Sequence, residues 1–149
     1  SILNHRFGEF SGLSITRILR VYYANKRDDG VKKILRVLRN EEYNLQQFDE
    51  QDVMVMIRIF QLVMNRSADL AACLLLGVLE KCGFLKEVGD EMKKRVFVLD
   101  RKYEHDYITV GIDGGVFLNM PQYPQRMRKR MVDMVGAAIV NRVRIVHAE

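Results

Sequence analysis

Apolar residues recur at helical spacing through the first half of the chain, then at alternate positions nearer its end. Leu13, Ile15, Ile18, Leu19 and Tyr22 fall three and four apart, which predicts an amphipathic helix with Ser11 or Ser14 available as its cap. Lys26-Arg27-Asp28-Asp29-Gly30 reads as a solvated break. Val31, Ile34, Leu35 and Leu38 then share one face of a second helix, with Lys32, Lys33, Arg36 and Arg39 elsewhere around it. Asn40 to Phe48 is polar and loop-like.

Asp49-Glu50-Gln51-Asp52 places negative charge where a helix dipole favours it, at a helix start. In the helix expected from about Asp49 to Met64, the run from Val53 to Val63 is apolar nearly all round, interrupted only by Arg58 and Gln61. A helix apolar all round is expected to be buried on most sides, with Phe60 between helices. Asn65-Arg66-Ser67-Ala68 either bends this helix or starts another. Leu70 to Leu79 sets small residues (Ala71, Ala72, Cys73, Gly77) among leucines, and Leu75 is expected in the core.

Lys81 to Asp106 is charged, contains Gly83 and Gly89, and holds one short strand candidate, Val96 to Leu99. Residues 83–106 read as a linker or surface insertion within a single domain. Ile108, Val110 and Ile112 then alternate with Tyr107, Thr109 and Gly111, the period of a strand. Asp113-Gly114-Gly115 breaks it, and Val116-Phe117-Leu118 is expected to resume it. Two readings of this turn stand side by side: a hairpin corner, or a turn whose bare backbone approaches a ligand. Pro121 is placed to open a helix, along which Met127, Met131, Met134 and Val135 form an apolar stripe as far as Gly136. Arg126, Arg128, Lys129 and Arg130 supply its solvated face, and Arg142 to His147 closes the chain as a strand. Helices first, then strand–helix–strand, give an α/β class, α+β within this stretch.

With 149 residues, 48% of them hydrophobic, the chain suits one compact domain with a real core. The net charge of +5 is a mild excess, and no aromatic interleaving or recognition motif accompanies the arginines, so nucleic acid is not an expected partner. Cys73 and Cys82 form no CxxC pair and only three histidines occur, which argues against a zinc site. Two buried thiols in a reducing compartment is the reading adopted, hence an intracellular, cytoplasmic location. The longest apolar run, Leu70 to Leu79, is about half of what a bilayer requires, so no membrane-spanning segment is expected.

Four segments, in this order, resemble the C-terminal part of the eukaryotic-type hexokinases. They are Phe10 to Thr16, Asp52 to Leu79 with its Arg66-Ser67-Ala68-Asp69-Leu70-Ala71-Ala72, Ile108 to Phe117 followed by Pro121, and Arg144 to Glu149. The resemblance covers most of the chain. It implies part of the large lobe of an actin-like (ribonuclease H-like) ATPase fold, with ATP and Mg²⁺ as cofactors and a hexose such as glucose as substrate. By the same resemblance, Gly12, Leu13, Ser14, Ile15 and Thr16 open a helix beside the nucleotide. Gly114, Gly115, Val116, Phe117, Leu118 and Asn119 lie against ATP.

The family's catalytic aspartate and glycine-rich phosphate loop are expected upstream, and its D-G-S-G motif just past Glu149. No catalytic residue is therefore assigned within this chain. It is expected to be a piece of a larger hexokinase, partnered by the remainder of that chain and inactive alone. Gly115 stands where the family usually has threonine or serine, Leu118 where it has lysine, and Leu74 where it has glycine. These departures keep a second reading open, a non-catalytic regulatory or binding module derived from a hexokinase lobe.

Overall fold

The computed structural model describes residues 12–39, 46–88, 96–103 and 107–147. They form six α-helices and four strands: α1 (Gly12–Ala24), α2 (Arg27–Arg39), α3 (Glu50–Lys81), β1 (Leu85–Val88), β2 (Val96–Leu99), β3 (Ile108–Ile112), α4 (Gly115–Asn119), α5 (Tyr123–Val135), α6 (Ala137–Val140) and β4 (Val143–His147). The class is α+β. The chain divides into two compact units, one reaching Met64 and taking in Asn119–Pro121, the other holding Asn65–Leu118 and everything from Gln122. Helix α3 contributes to both.

In the first unit α1 and α2 pack on each other, burying Ile18, Leu19, Val31, Ile34 and Leu38. The predicted solvated break is shorter than expected, because α2 already starts at Arg27, with Asp28 and Asp29 in its first turn where the dipole favours them. Gly30 is therefore helical and buried. A β-carbon there would lie 3.2 Å from the Tyr22 carbonyl oxygen, so the glycine is what lets the two helices come this close. The N-terminus of α3 is capped reciprocally: Asp49 Oδ1 accepts from the backbone N–H groups of Gln51 (2.8 Å) and Asp52 (2.9 Å), and Asp52 Oδ2 accepts from that of Asp49 (3.1 Å). Val53, Ile57 and Met64 are buried below it, and Gln61 donates to the Tyr23 hydroxyl at 3.0 Å.

Helix α3 corrects two expectations. It is one continuous helix of 32 residues rather than two, since nothing between Asn65 and Ala68 is a glycine or proline that would break the ladder. It is also not buried all round. Val55, Ile59, Leu62, Val63, Leu70, Leu74 and Val78 are exposed, and Phe60 and Leu75 are only half-buried. By length and composition α3 is apolar enough to cross a membrane. The core helix of a soluble protein passes the same test, so those two properties do not assign it to a bilayer.

In the second unit α3 ends in a Schellman motif. Gly83, at φ 79°, lets Phe84 N–H reach the Leu79 carbonyl (2.9 Å) and Gly83 N–H the Glu80 carbonyl (2.9 Å). Phe84 and Leu85 enter the core, and β1 pairs antiparallel with β2, Leu85 opposite Leu99 and Val88 opposite Val96. The stretch read as linker or insertion thus carries a hairpin, of which only β2 was anticipated. Cys73 is half-buried and Cys82 exposed, so the expectation of two buried thiols fails for Cys82, which sits in the turn after α3.

Strand β3 pairs in parallel with β4, Ile108 opposite Val143 through Ile112 opposite His147. Parallel neighbours need a crossover, and α4, α5 and α6 supply it. This overturns the expected strand at Val116-Phe117-Leu118: those residues are helical, in α4. Gly114, at φ 140°, turns the chain out of the strand direction, and the crossover then carries it away from β3. The β-branched character of Val116 is overridden by topology. Pro121 sits in the turn before α5, with Pro124 in the helix's first turn, and Gly136, at φ 87°, ends it as expected. Tyr123, Met127, Met131 and Val135 are the buried face of α5, Met134 being only half-buried.

Candidate functional site

The second unit holds an open cleft of about 510 Å³. One wall is α3, through Ala71, Leu74 and Leu75. The floor is the inner face of β3, through Val110 and Ile112, and α5 adds Tyr123 and Met127. The rim is Asp113, Gly114, Gly115, Val116 and Phe117. The rim lies where β3 ends and the crossover begins, the place where open α/β sheets leave a crevice for ligands. Tyr123 is held there by its hydroxyl, 3.1 Å from Ser67 Oγ, and its ring meets Phe117 edge-on at 6.5 Å. Arg126, one turn further along α5, lies 3.4 Å from Asp69 of α3. These contacts fix α5 against α3 and so set the width of the cleft.

The lining is apolar apart from Asp113, the Tyr123 hydroxyl and the backbone. Such a surface suits a flat, largely apolar ring with polar groups kept at the mouth. Gly114 is required by its backbone angle, not by crowding, since a β-carbon there would meet nothing within 4 Å. The same open space leaves the backbone at the rim accessible.

The sequence-predicted site residues divide between the two units. Gly114, Gly115, Val116 and Phe117 stand together on the cleft rim. Leu118 is in α4 but exposed and does not line the cleft. Asn119 belongs to the first unit, where its carbonyl and its Oδ1 accept from Arg20 Nε (3.1 Å) and Nη2 (2.9 Å) of α1. Gly12, Leu13, Ser14, Ile15 and Thr16 form the first turns of α1, with Thr16 buried and Ile15 half-buried. Of the caps proposed for α1, Ser14 lies inside the helix, and Ser11 lies outside the described residues.

The Arg20–Asn119 contact has no signal in the sequence beyond a basic side chain one turn after Thr16. Sequence reasoning assigned Ala71, Leu74, Leu75, Tyr123 and Met127 to core packing or left them unassigned. No local pattern distinguishes an apolar residue facing a cleft from one facing the core. Among the described residues no group of His, Cys, Asp and Glu could hold a metal ion.

The parallel β3–β4 pair, joined by a helical crossover, leaves an apolar crevice at the end of β3, a place where open α/β sheets can take a ligand. The chain belongs to the hexokinase family: the family's model, described as hexokinase, matches residues 12–149. Its function is accordingly of hexokinase type, that of a sugar kinase in the intact protein. No curated protein and no solved structure matches it.

Proposed function

We propose that the intact protein transfers the γ-phosphoryl group of ATP to a hexose such as glucose, and that this segment furnishes the nucleotide side of the site within an actin-like lobe. The carrying observation is the cleft at the end of β3, rimmed by the glycine turn that would lie against ATP if the family resemblance holds for these residues. Leu74, Leu75 and Val116 would bury the adenine ring. The backbone at Gly114 and Gly115 would approach the adenosine, as glycine's missing β-carbon permits. Phosphoryl transfer itself is positioning and charge neutralisation, assembled from several segments. The base and the phosphate loop are assigned to the rest of the chain, and the isolated segment is expected to be inactive. Among the described residues no group of His, Cys, Asp and Glu would hold Mg²⁺, so the metal would enter with the phosphates. A cytoplasmic location, where ATP and free hexose meet, accords with this reading.

Leu74, in the cleft wall where the family has glycine, favours the second reading, a regulatory module with a narrowed nucleotide site. One experiment separates the two. The intact protein is assayed for ATP-dependent hexose phosphorylation alongside equilibrium binding of ATP. Turnover that falls on Gly115→Val supports the kinase. ATP binding without turnover assigns the module, and absence of both overturns the nucleotide site.

A further inference from the structure

At the far end of β3 from the cleft, the β3–β4 pair carries a second, chemically different surface. The parallel register sets Thr109 beside Arg144, opposite to the face that Ile108, Val110, Val143 and Ile145 turn inward, and Tyr107 and Arg142 meet just before the two strands begin. Tyr107 is 58% exposed, and both guanidinium groups lie on its ring, Arg142 at 5.4 Å and Arg144 at 5.3 Å from the centroid. Beside them Arg128 donates to Asn141 Oδ1 at 2.9 Å. The three ion pairs among the described residues are Lys86–Asp100, Arg126–Asp69 and Lys129–Asp133, and none involves these three arginines. Strand β4 pairs only with β3 among the described residues, so its outer edge presents backbone donors and acceptors beside the two arginines.

We propose that this edge and face receive an extended, acidic peptide segment of a partner protein. It would add to β4 as a strand, with carboxylates at alternate positions meeting Arg142 and Arg144. Three features select that occupant. Strand addition needs a partner backbone with its own N–H and C=O groups, which a peptide supplies and a nucleic acid does not. Arg142, just before β4, and Arg144 within it both lie on the Tyr107 ring and so share one face, matching carboxylates two residues apart. The aromatic ring that a nucleobase would stack on is already engaged by two guanidiniums. Cation–π contact also holds the guanidiniums in place before binding, which lowers the entropy lost when carboxylates arrive. The surface is independent of the nucleotide cleft and does not rest on the proposed kinase activity.

The test uses the intact protein and a fluorescein-labelled nine-residue peptide of alternating Glu and Val, read by anisotropy. The expected result is saturable binding that weakens with added salt and is absent for the Lys–Val counterpart. Arg142→Glu/Arg144→Glu should reduce affinity at least 10-fold, and the milder Arg142→Gln/Arg144→Gln should do so partially if the charge reversals disturb folding. Hexose phosphorylation and the melting temperature should be unchanged in the Gln pair. A peptide N-methylated at alternate residues should lose binding. Equal binding by the methylated peptide would overturn strand addition, and equal binding by the Gln pair would overturn the arginine site. Preferred binding of a single-stranded oligonucleotide, or a concentration-dependent dimer abolished by the same substitutions, would assign the surface to another occupant and overturn the proposal.

Discussion

Among the described residues the second unit contains two sheets of two strands each, and they are built in opposite ways. In β1–β2 the partners are near neighbours in sequence and run antiparallel. The hairpin is held by a short list of local contacts: Phe84, fully buried, touches the Tyr103 ring at 5.5 Å, and Asp100 N–H donates to the Phe84 carbonyl at 3.1 Å. In β3–β4 the partners are parallel, separated by everything from Asp113 to Arg142, and joined only through three helices. The local pairing contributes packing. The non-local pairing brings a strand end, a glycine turn and two helix faces together, and that is where the cleft is. Stability and site chemistry are therefore expected to respond separately to mutation in the two sheets.

The largest effect should come from the hairpin anchor. Phe84→Ala removes a fully buried ring and should cost about 3–5 kcal/mol in urea unfolding of the intact protein, with the KM for ATP of the surviving folded fraction little changed. A loss in ATP affinity as large as the loss in stability would show that the two sheets do not act separately. Next comes the rim of the cleft. Gly115→Val should weaken ATP binding about 10-fold, roughly 1.4 kcal/mol, with the melting temperature nearly unchanged. Gly115→Thr, the family's usual type there, should be tolerated, and unchanged ATP affinity in both variants would remove the nucleotide from this rim.

A smaller loss of stability than at Phe84 is expected at Phe60, in the half of α3 that belongs to the first unit. Because the ring is only half-buried, Phe60→Ala should cost about 1–2 kcal/mol, below the Phe84 value. Denaturant midpoints of the two variants, measured side by side, check the ranking. The smallest effect belongs to the exposed pair beside the hairpin. The Lys86 ammonium, 2.6 Å from Asp100, and the Lys102 backbone N–H hold the Asp100 carboxyl below its ordinary value. A depressed carboxylate stabilises the fold above its unfolded pKa of 3.8, and the contribution is lost as pH falls through the lower folded value. Lys86→Met should thus lower stability slightly at neutral pH, with wild type and variant converging in acid below that window. A difference that persists there would assign the effect to packing.

Much of this architecture was legible in the sequence. The stripes of Ile18, Leu19 and Tyr22, of Val31, Ile34 and Leu38, and of Met127, Met131 and Val135 gave three helices, because a period near 3.6 is written in side-chain polarity alone. The alternation through Ile108 and Ile112 gave β3, and Gly136 gave a helix end. Gly114, Gly115, Val116 and Phe117, on the cleft rim, were reached through the family resemblance and the Asp113-Gly114-Gly115 break together. Phe84 was not legible, since a lone aromatic after a glycine has no period to place it. Nor was α4: three apolar residues after a turn fit strand and helix equally well.

What the sequence determined by itself was local: where helices and strands form, which residues can reach positive φ, and which family the order of motifs belongs to. Tertiary structure decided everything that depends on a neighbour distant along the chain. The pairing of β3 with β4 rather than with its own continuation forced Val116-Phe117-Leu118 into a helix, since parallel strands cannot be joined by a tight turn. The same pairing set Arg142 and Arg144 against Tyr107, residues whose sequence separation conceals that they share one face. The division of α3 into a buried stripe and an exposed one was also outside the reach of pattern. A helix apolar all round does not say which side will find a partner, and that choice is made only when the other elements pack.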